Sequence, residues 1–556
     1  MKSWIYLLIG IALIASTQAK AGAPLSEEPG RVLYQVYVET FRDSRDAIGA
    51  DGSDGFGDFA GLEQKLDYLR GLGVSGLLVM PIFESDDDMG YIPRDFYLLR
   101  ARYAGNGTQA DREESFRSLI RAAHARDIKI YVDAPINHIS LRSEWFTNSA
   151  RRLPGWQDHF LWADRPQDGW RIPWEPSSTP TDVWFYQRER DAYFYALFGW
   201  GMPEFNHRNP AVVELFDDFF TYYSAMGADG FRIDAAKHLI EGPTNTVPFV
   251  QENIPLLTHY LKTVRARFPG ITFMIEVWSG HAEIEAFPHA SGDVKFDFPY
   301  METLRDSLKY SHPYGVRNTL DHMMQKQGEF KPGNRIIFAG NHDVARLRTH
   351  ALNDAPKTEL GLALTLTLPF IPLVYYGDEI FMAGEYIRYP KTPEKNVNNV
   401  CMPMLWNGEK NAGFTAPGFE LPNAWNKKIA PDWRNINVAA QLKNPHGMLR
   451  AVQKLLKTRK SLPITNETRF YVDKSNDSDP VLRTAMVFAD GSCAVGIYNF
   501  SEARQNAQNL DFRAGLPSGC RTSLSSVLLK KRTYTRQDAA IDLDPYGYWI
   551  GLGRTN

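Results

Sequence analysis

Cysteine is scarce: three in 556 residues exclude a disulfide framework and allow at most one bridge, Cys493 with Cys520 being one permitted pair. Long apolar runs are also missing. The longest, over 5–15, is shorter than the roughly 20 residues a membrane-spanning helix needs. It follows Lys2 and ends in the small residues STQA or STQAKA, the pattern of an export signal over 1–21, cleaved after Ala19 or Ala21. No cysteine follows it, so a lipid-anchored form is not expected; the mature chain is expected to be secreted or periplasmic, with no membrane anchor. Net charge is only -3 and no long run of one sign occurs, which points away from nucleic acid and anionic membranes and toward a neutral substrate. Repeats and low-complexity tracts are absent.

The chain is rich in aromatic residues, 13% including 13 Trp and 26 Tyr, most of which are expected in the core. Short runs rich in Val, Ile and Phe alternate with amphipathic stretches such as EESFRSLIRAAHARD and AVVELFDDFFTYYSAMG. Eight strand-like runs begin at Arg31, Val74, Ile128, Gly227, Ile271, Asp293, Arg335 and Phe370. Eight βα units predict a closed (β/α)8 barrel. The rhythm breaks over 139–205, a Trp-, Pro- and Arg-rich excursion after the third strand. After the helical pattern PHGMLRAVQKLLKTRKS, short alternating runs from about 462 predict an antiparallel C-terminal domain.

In such a barrel the reactive groups sit at the C-terminal ends of the strands. The third run ends in Asp133, Asn137 and His138, the fourth in Arg232, Asp234, Lys237 and His238, the fifth in Glu276, the seventh in Asn341, His342 and Asp343. Any one of these is more simply a helix cap, a satisfied histidine or an ion pair. Four strand ends with the same feature make coincidence improbable. Cleaving an acetal needs a proton on the leaving oxygen and stabilisation of an oxocarbenium-like centre, which two carboxyl groups supply. Arg232 shares a strand face with Asp234 and is expected to hold it ionised, as a nucleophile. Glu276, closing the apolar run ITFMI and followed by Val277 and Trp278, is expected to stay protonated as acid/base. Asp343 is placed to grip the sugar as its ring distorts.

These motifs resemble the alpha-amylase family of glycoside hydrolases, from about Arg31 to the end. DAPINH at Asp133, GFRIDAAKH at Gly230, EVW at Glu276 and NHD at Asn341 resemble its four conserved regions, and MPEFN at Met202 a fifth motif. The resemblance implies a TIM barrel (30–138 and 206–461), an inserted domain B after strand three (139–205) and a C-terminal β-sandwich (462–556). It also implies Asp234 as nucleophile, Glu276 as acid/base and Asp343 as transition-state stabiliser. Tyr91 matches a tyrosine that stacks under the sugar, His138 and His342 match histidines that bind its hydroxyls, and Lys237 and His238 match leaving-group contacts. Asp133 and Arg232 complete the expected substrate-binding set. The stretches YYGDEI, PMLW, NAGFT and INVAAQL resemble the oligo-1,6-glucosidase and neopullulanase side of the family.

Departures from the pattern bear on specificity. Exo-acting relatives usually carry Asp after the stacking Tyr and Arg before the PMQW-like motif; here these are Ile92 and Cys401. Ala235 after the nucleophile is as in alpha-1,4-specific members. The expectation is an endo-acting alpha-amylase cleaving alpha-1,4 bonds in starch-like or maltooligosaccharide substrates. The alternatives are an exo-glucosidase or a transglycosylase of the amylosucrase or trehalose-synthase type and, more remotely, a catalytically silent binding subunit. Asp54, the Phe56 carbonyl and Asp58 resemble a structural calcium loop, with Asp43 and Asp51 competing for its first ligand; a metal-free Gly/Asp-rich loop explains the sequence equally well. Asn137 matches a calcium ligand of many alpha-amylases, without a clear partner in the inserted segment.

Overall fold

The computed structural model describes residues 22–44, 54–104, 107–243, 248–326, 328, 330–387, 397–421, 428–473, 477–507, 520–530 and 541–555. The export signal and Asp51 lie outside the described residues.

Eight parallel strands close a barrel in sequence order: β1 (Leu33–Val36), β2 (Gly76–Val79), β3 (Lys129–Ala134), β4 (Gly230–Ile233), β5 (Thr272–Ile275), β6 (Val294–Phe296), β7 (Arg335–Phe338) and β8 (Ile371–Tyr375). Closure is made by Leu33 of β1 in register with Leu373 of β8. This is the expected fold class.

Every barrel strand except β6 carries at least four consecutive buried residues, and the three residues of β6 are buried as well. The two-residue period then sorts side chains between layers. Leu33, Leu78, Tyr131, Met274, Phe296 and Phe338 fill the barrel interior. Tyr34, Leu77, Val132, Phe231, Phe273 and Ile337 face the surrounding helices. Gln35, Asp133, Arg232 and Glu276 share the inward parity, one step further along their strands, so the alternation that builds the core also stacks polar groups above it.

The helix Pro210–Met226 shows how its sequence sets its limits. Asn209 caps the start by accepting from the Ala211 amide at 3.0 Å, and Pro210 occupies the first turn, where no intrahelical donor is needed. Gly227, at φ 109°, supplies the left-handed stop. Val212, Phe216, Phe219, Phe220 and Tyr223 form its buried stripe.

Between β3 and that helix the chain forms the helix Glu144–Ala150 and a three-stranded antiparallel sheet, with Ala192–Tyr195 between Trp162–Ala163 and Trp184–Gln187. An isolated bridge between His138 and Glu204 closes its base against the barrel. The C-terminal region is a five-stranded antiparallel sheet, β9 (Arg469–Val472), β10 (Val481–Val487), β11 (Ser492–Asn499), β12 (Cys520–Lys530) and β13 (Tyr548–Thr555), in the order β9-β10-β11-β13-β12. The pair Gln505–Ala507 and Ile541–Leu543 packs onto it: Ile541 and Leu543 share a core with Val481, Val495, Ile497 and Trp549, which makes the region a sandwich. Cys493 is disulfide-bonded and Cys401 is free and buried. Among the described residues no helix is long and apolar enough to cross a membrane.

Candidate active site

One guanidinium organises the barrel mouth. Arg232 on β4, 2% exposed, places Nη1 at 2.7 and 2.8 Å from the two Asp133 oxygens and 2.8 Å from Asp234 Oδ1, while Nη2 lies 3.2 Å from Glu276 Oε1. Three carboxyl groups from three neighbouring strand ends therefore share one permanent positive charge.

Burial is the larger influence on these acids. Arg232 was expected to hold Asp234 ionised. Burial outweighs the guanidinium, and the neighbouring Asp133 and Asp343 add to it, so Asp234 is pushed up to about 6. Asp133 is raised by burial to about 6 as well, against the pull of Arg232 and a 2.8 Å hydrogen bond donated by Tyr91 Oη. Glu276 rises further, to about 7, through burial and the charges of Asp234 and Asp343. Glu276 thus lies above Asp234, through burial and the two neighbouring carboxylates.

The backbone after β4 links the two. Ala235 adopts the left-handed conformation at φ 48°, which strains a residue bearing a Cβ by about 1–3 kcal/mol. In that conformation its amide donates to Glu276 Oε2 at 2.8 Å, while the Ala236 amide donates to the Glu276 carbonyl at 3.0 Å.

The remaining expected residues gather around this centre. Tyr91 stacks on His342, with ring centroids 5.0 Å apart and planes 10° from parallel. Gln35 Nε2 lies 3.0 Å from His342 Nδ1, and His342 Nε2 lies 3.3 Å from Asp343 Oδ2. Burial lowers His342, which keeps the ring neutral, with the amide NH2 of Gln35 donating to Nδ1 and Nε2–H directed at Asp343. His138 is pushed down to about 4 by burial, and its Nε2 lies 2.7 Å from the Tyr91 carbonyl. Lys237 Nζ sits 3.2 Å from Glu283 Oε2. His238 pairs with Glu241 and meets the rings of Trp174 and Phe198 edge-on, each 5.9 Å away.

Several contributors escaped the sequence reading. Gln35 is a lone amide in the apolar run LYQVYV, and its inward parity was the available signal. Asp87 organises the loop that presents Tyr91: its carboxylate accepts from the amides of Met89, Gly90, Tyr91 and Ile92 at 2.9–3.2 Å. Trp174, 58% exposed, stacks on Phe198, whose ring also lies against His138. Nothing in the sequence period of 139–205 marked this pair.

The residues considered for metal fall in two places. Asp58 Oδ1 accepts from the Gly61 amide at 2.6 Å and its Oδ2 from Ser44 Oγ at 2.8 Å; Asp43 Oδ2 accepts from Thr415 Oγ1 at 2.6 Å; Asp54 Oδ1 accepts from the Phe56 amide at 3.0 Å. Among the described residues these carboxylates do not converge as one group. Asn137, by contrast, donates to the His238 carbonyl at 2.5 Å and is hydrogen-bonded to Glu204, the acid of MPEFN.

The family description "Alpha amylase, catalytic domain" matches residues 35–468, which include all of the barrel strands but Leu33 and Tyr34 and every residue of this constellation. The chain belongs to the alpha-amylase family. It is an enzyme of the alpha-glucan-acting glycoside hydrolases and transferases. Alpha-amylase 3 of Dictyoglomus thermophilum is 33% identical over 366 residues, 65% of this chain and 66% of that protein. The 4-alpha-glucanotransferase of Thermotoga maritima is 28% identical over 67% of this chain and 76% of its own length; trehalose synthase/amylase TreS of Mycolicibacterium smegmatis is 30% identical over 77% and 75%. An alpha-amylase structure from H. orenii superposes with a TM-score of 0.74 at 24% identity, covering 94% of this chain and 99% of its own, a likeness of fold.

Proposed function

We propose that this alpha-amylase family member is a retaining, endo-acting hydrolase of alpha-1,4 bonds in starch-like or maltooligosaccharide chains. The observation that carries the chemistry is the pair of unequal carboxyl groups on one guanidinium, Asp234 near 6 and Glu276 near 7. Near neutral pH Asp234 is mostly ionised while Glu276 keeps substantial proton occupancy, which suits a nucleophile beside an acid. Glu276 gives its proton to the glycosidic oxygen as the Asp234 carboxylate bonds to C1 and the leaving sugar departs. Ionised Glu276 then takes a proton from water, which attacks C1 and releases Asp234. Asp343, aligned by His342, is available to the hydroxyls of the bound ring, whereas Asp133, fully buried with both oxygens held by Arg232 and Tyr91, positions those two groups from beneath.

Endo action is supported by what occupies the two clamp positions. Cys401 is fully buried, its sulfur 3.3 Å from Tyr375 Oη and 3.8 Å from Met89 Sδ, and Ile92 is uncharged, so neither grips a chain end through charge. Trp174 and Phe198 offer an apolar platform beyond His138 and His238, where a continuing sugar chain can lie. That platform also suits a sugar acceptor, which favours glucanosyl transfer as the second reading. A product time course from a reducing-end-labelled maltooligosaccharide separates them. Early internal products support the endo-hydrolase; single glucose units released stepwise, or products longer than the substrate, overturn it.

Calcium completes the proposal. Glu204 and Glu241 are 1% and 3% exposed; burial, and then the charge of Glu241, push Glu204 well above the ordinary carboxylate range, and Glu241 Oε2 has no hydrogen-bond partner. With the Asn137 side chain and the His238 carbonyl they form an oxygen-rich donor set suited to a hard cation, which would neutralise two buried acids at the base of the inserted segment.

A further inference from the structure

On the outer wall of the barrel the helices His281–Ala286 and Tyr314–Gln325 bring two imidazoles and a carboxylate together. His281 and Glu285 are four residues apart and so share one helix face; His322 comes from the last turn of the other helix. One ligand atom from each lies within 4.8 Å of the other two.

We propose that His281, Glu285 and His322 form a divalent-cation site for a borderline metal of the zinc type, with water in the fourth position. The donor set decides the class: two imidazoles and one carboxylate suit zinc, whereas calcium and magnesium take oxygen ligands. The surroundings have the features of a supported site. Asp297, fully buried, lies 3.1 Å from His281 Nε2 through Oδ1, while its Oδ2 has no partner. A carboxylate on the far nitrogen of a ligand histidine fixes the tautomer and makes the other nitrogen a better donor, leaving Nδ1 of His281 for the metal. Phe330 closes one side, edge-on to His281 at 5.4 Å and to His322 at 5.7 Å.

The metal-free arrangement has specific substitutes for the ion. His322 Nε2 lies 2.8 Å from Glu285 Oε1, Lys326 neutralises Glu285 from its other oxygen, and the imidazoles stack 4.5 Å apart and 6° from parallel. Bonds of about 2.0–2.2 Å place the ligand atoms of a tetrahedral zinc roughly 3.3–3.5 Å apart. Binding therefore replaces the His322–Glu285 hydrogen bond, parts those two donor atoms from 2.8 Å by roughly half an ångström and tilts the rings out of their stack. Lys326 opposes it electrostatically. The ion would pin the helix that begins five residues after Glu276 and whose Glu283 holds Lys237.

The test is zinc titration of the full-length protein by calorimetry at pH 7.5 with calcium saturating, so that oxygen-donor sites are filled. One zinc is expected per chain. His281→Ala and His322→Ala should each weaken binding about tenfold or more, and Lys326→Ala should tighten it, while zinc raises the thermal midpoint of the wild type but not of His322→Ala. Circular dichroism establishes that each variant is folded; should a histidine variant fail to fold, the Lys326→Ala titration decides alone. No zinc uptake by the wild type, unchanged affinity in the histidine variants, or no gain in Lys326→Ala would overturn the assignment.

Discussion

The Ala235 amide donates to Glu276 Oε2 at 2.8 Å, so the residue after the proposed nucleophile holds the proposed acid. The hydrogen bond is made with Ala235 at φ 48°, a conformation that costs energy for alanine and is offset by the two amide bonds to Glu276. The ends of β4 and β5 are thereby one unit, with Arg232 reaching both carboxyl groups from beneath.

The pH dependence of kcat/KM follows from the two acids. Activity should rise as Asp234 ionises through about 6 and fall as Glu276 loses its proton through about 7, giving a narrow bell. Because Asp133, Asp234 and Glu276 share Arg232, the two limbs report the coupled cluster. In Glu276→Gln, assayed with a substrate whose leaving group needs no proton, the alkaline limb should vanish while the acidic limb stays.

Stability should show the same ionisation. Glu276 binds its proton more tightly folded than unfolded, so the folded state gains from protonated Glu276 at low pH and loses that gain as pH rises through about 7. Glu276→Gln removes the penalty of burying the charge. Its thermal midpoint should exceed that of the wild type at pH 8, by an effect on the order of 1–3 kcal/mol, and match it near pH 4, below the unfolded-chain value of 4.5. Calorimetry at the two pH values checks this.

Asp87 touches no reacting group in this account, yet it holds the loop that aims Tyr91 at Asp133. Asp87→Ala should lower kcat/KM about 10- to 100-fold through misplacement of the ring, with the fold retained by circular dichroism. Asp87→Asn, which keeps one acceptor oxygen, should recover part of the loss.

If calcium sits among Asn137, Glu204, Glu241 and the His238 carbonyl, chelation should lower the thermal midpoint and added calcium restore it. Glu204→Gln should abolish that response, whereas Asp54→Asn should leave it intact. The reverse result would move the ion to the loop around Asp58.

Much of this site was legible because strand alternation and strand ends are local properties. Asp133, Arg232, Asp234 and Glu276 each follow an apolar run at a parity that turns them into the barrel mouth, and the eight runs announce the barrel. Contacts made across large sequence separations were not legible. Gln35 meets His342 and Asn137 meets the His238 carbonyl only because the barrel closes. The net effect on Asp234 was also hidden, since the favourable Arg232 is two residues away in sequence whereas the burial that outweighs it comes from the whole mouth.

Asp234 is the residue proposed to bond to the sugar. Incubation with a slowly hydrolysed 5-fluoro-glucosyl fluoride, followed by intact-mass and peptide mass spectrometry, tests it directly. One added 5-fluoroglucosyl unit is expected on the peptide carrying Asp234, and no label in Asp234→Asn. Label on Asp133, Asp343 or Glu276 instead, or turnover that inverts the anomeric centre without any label, would contradict it.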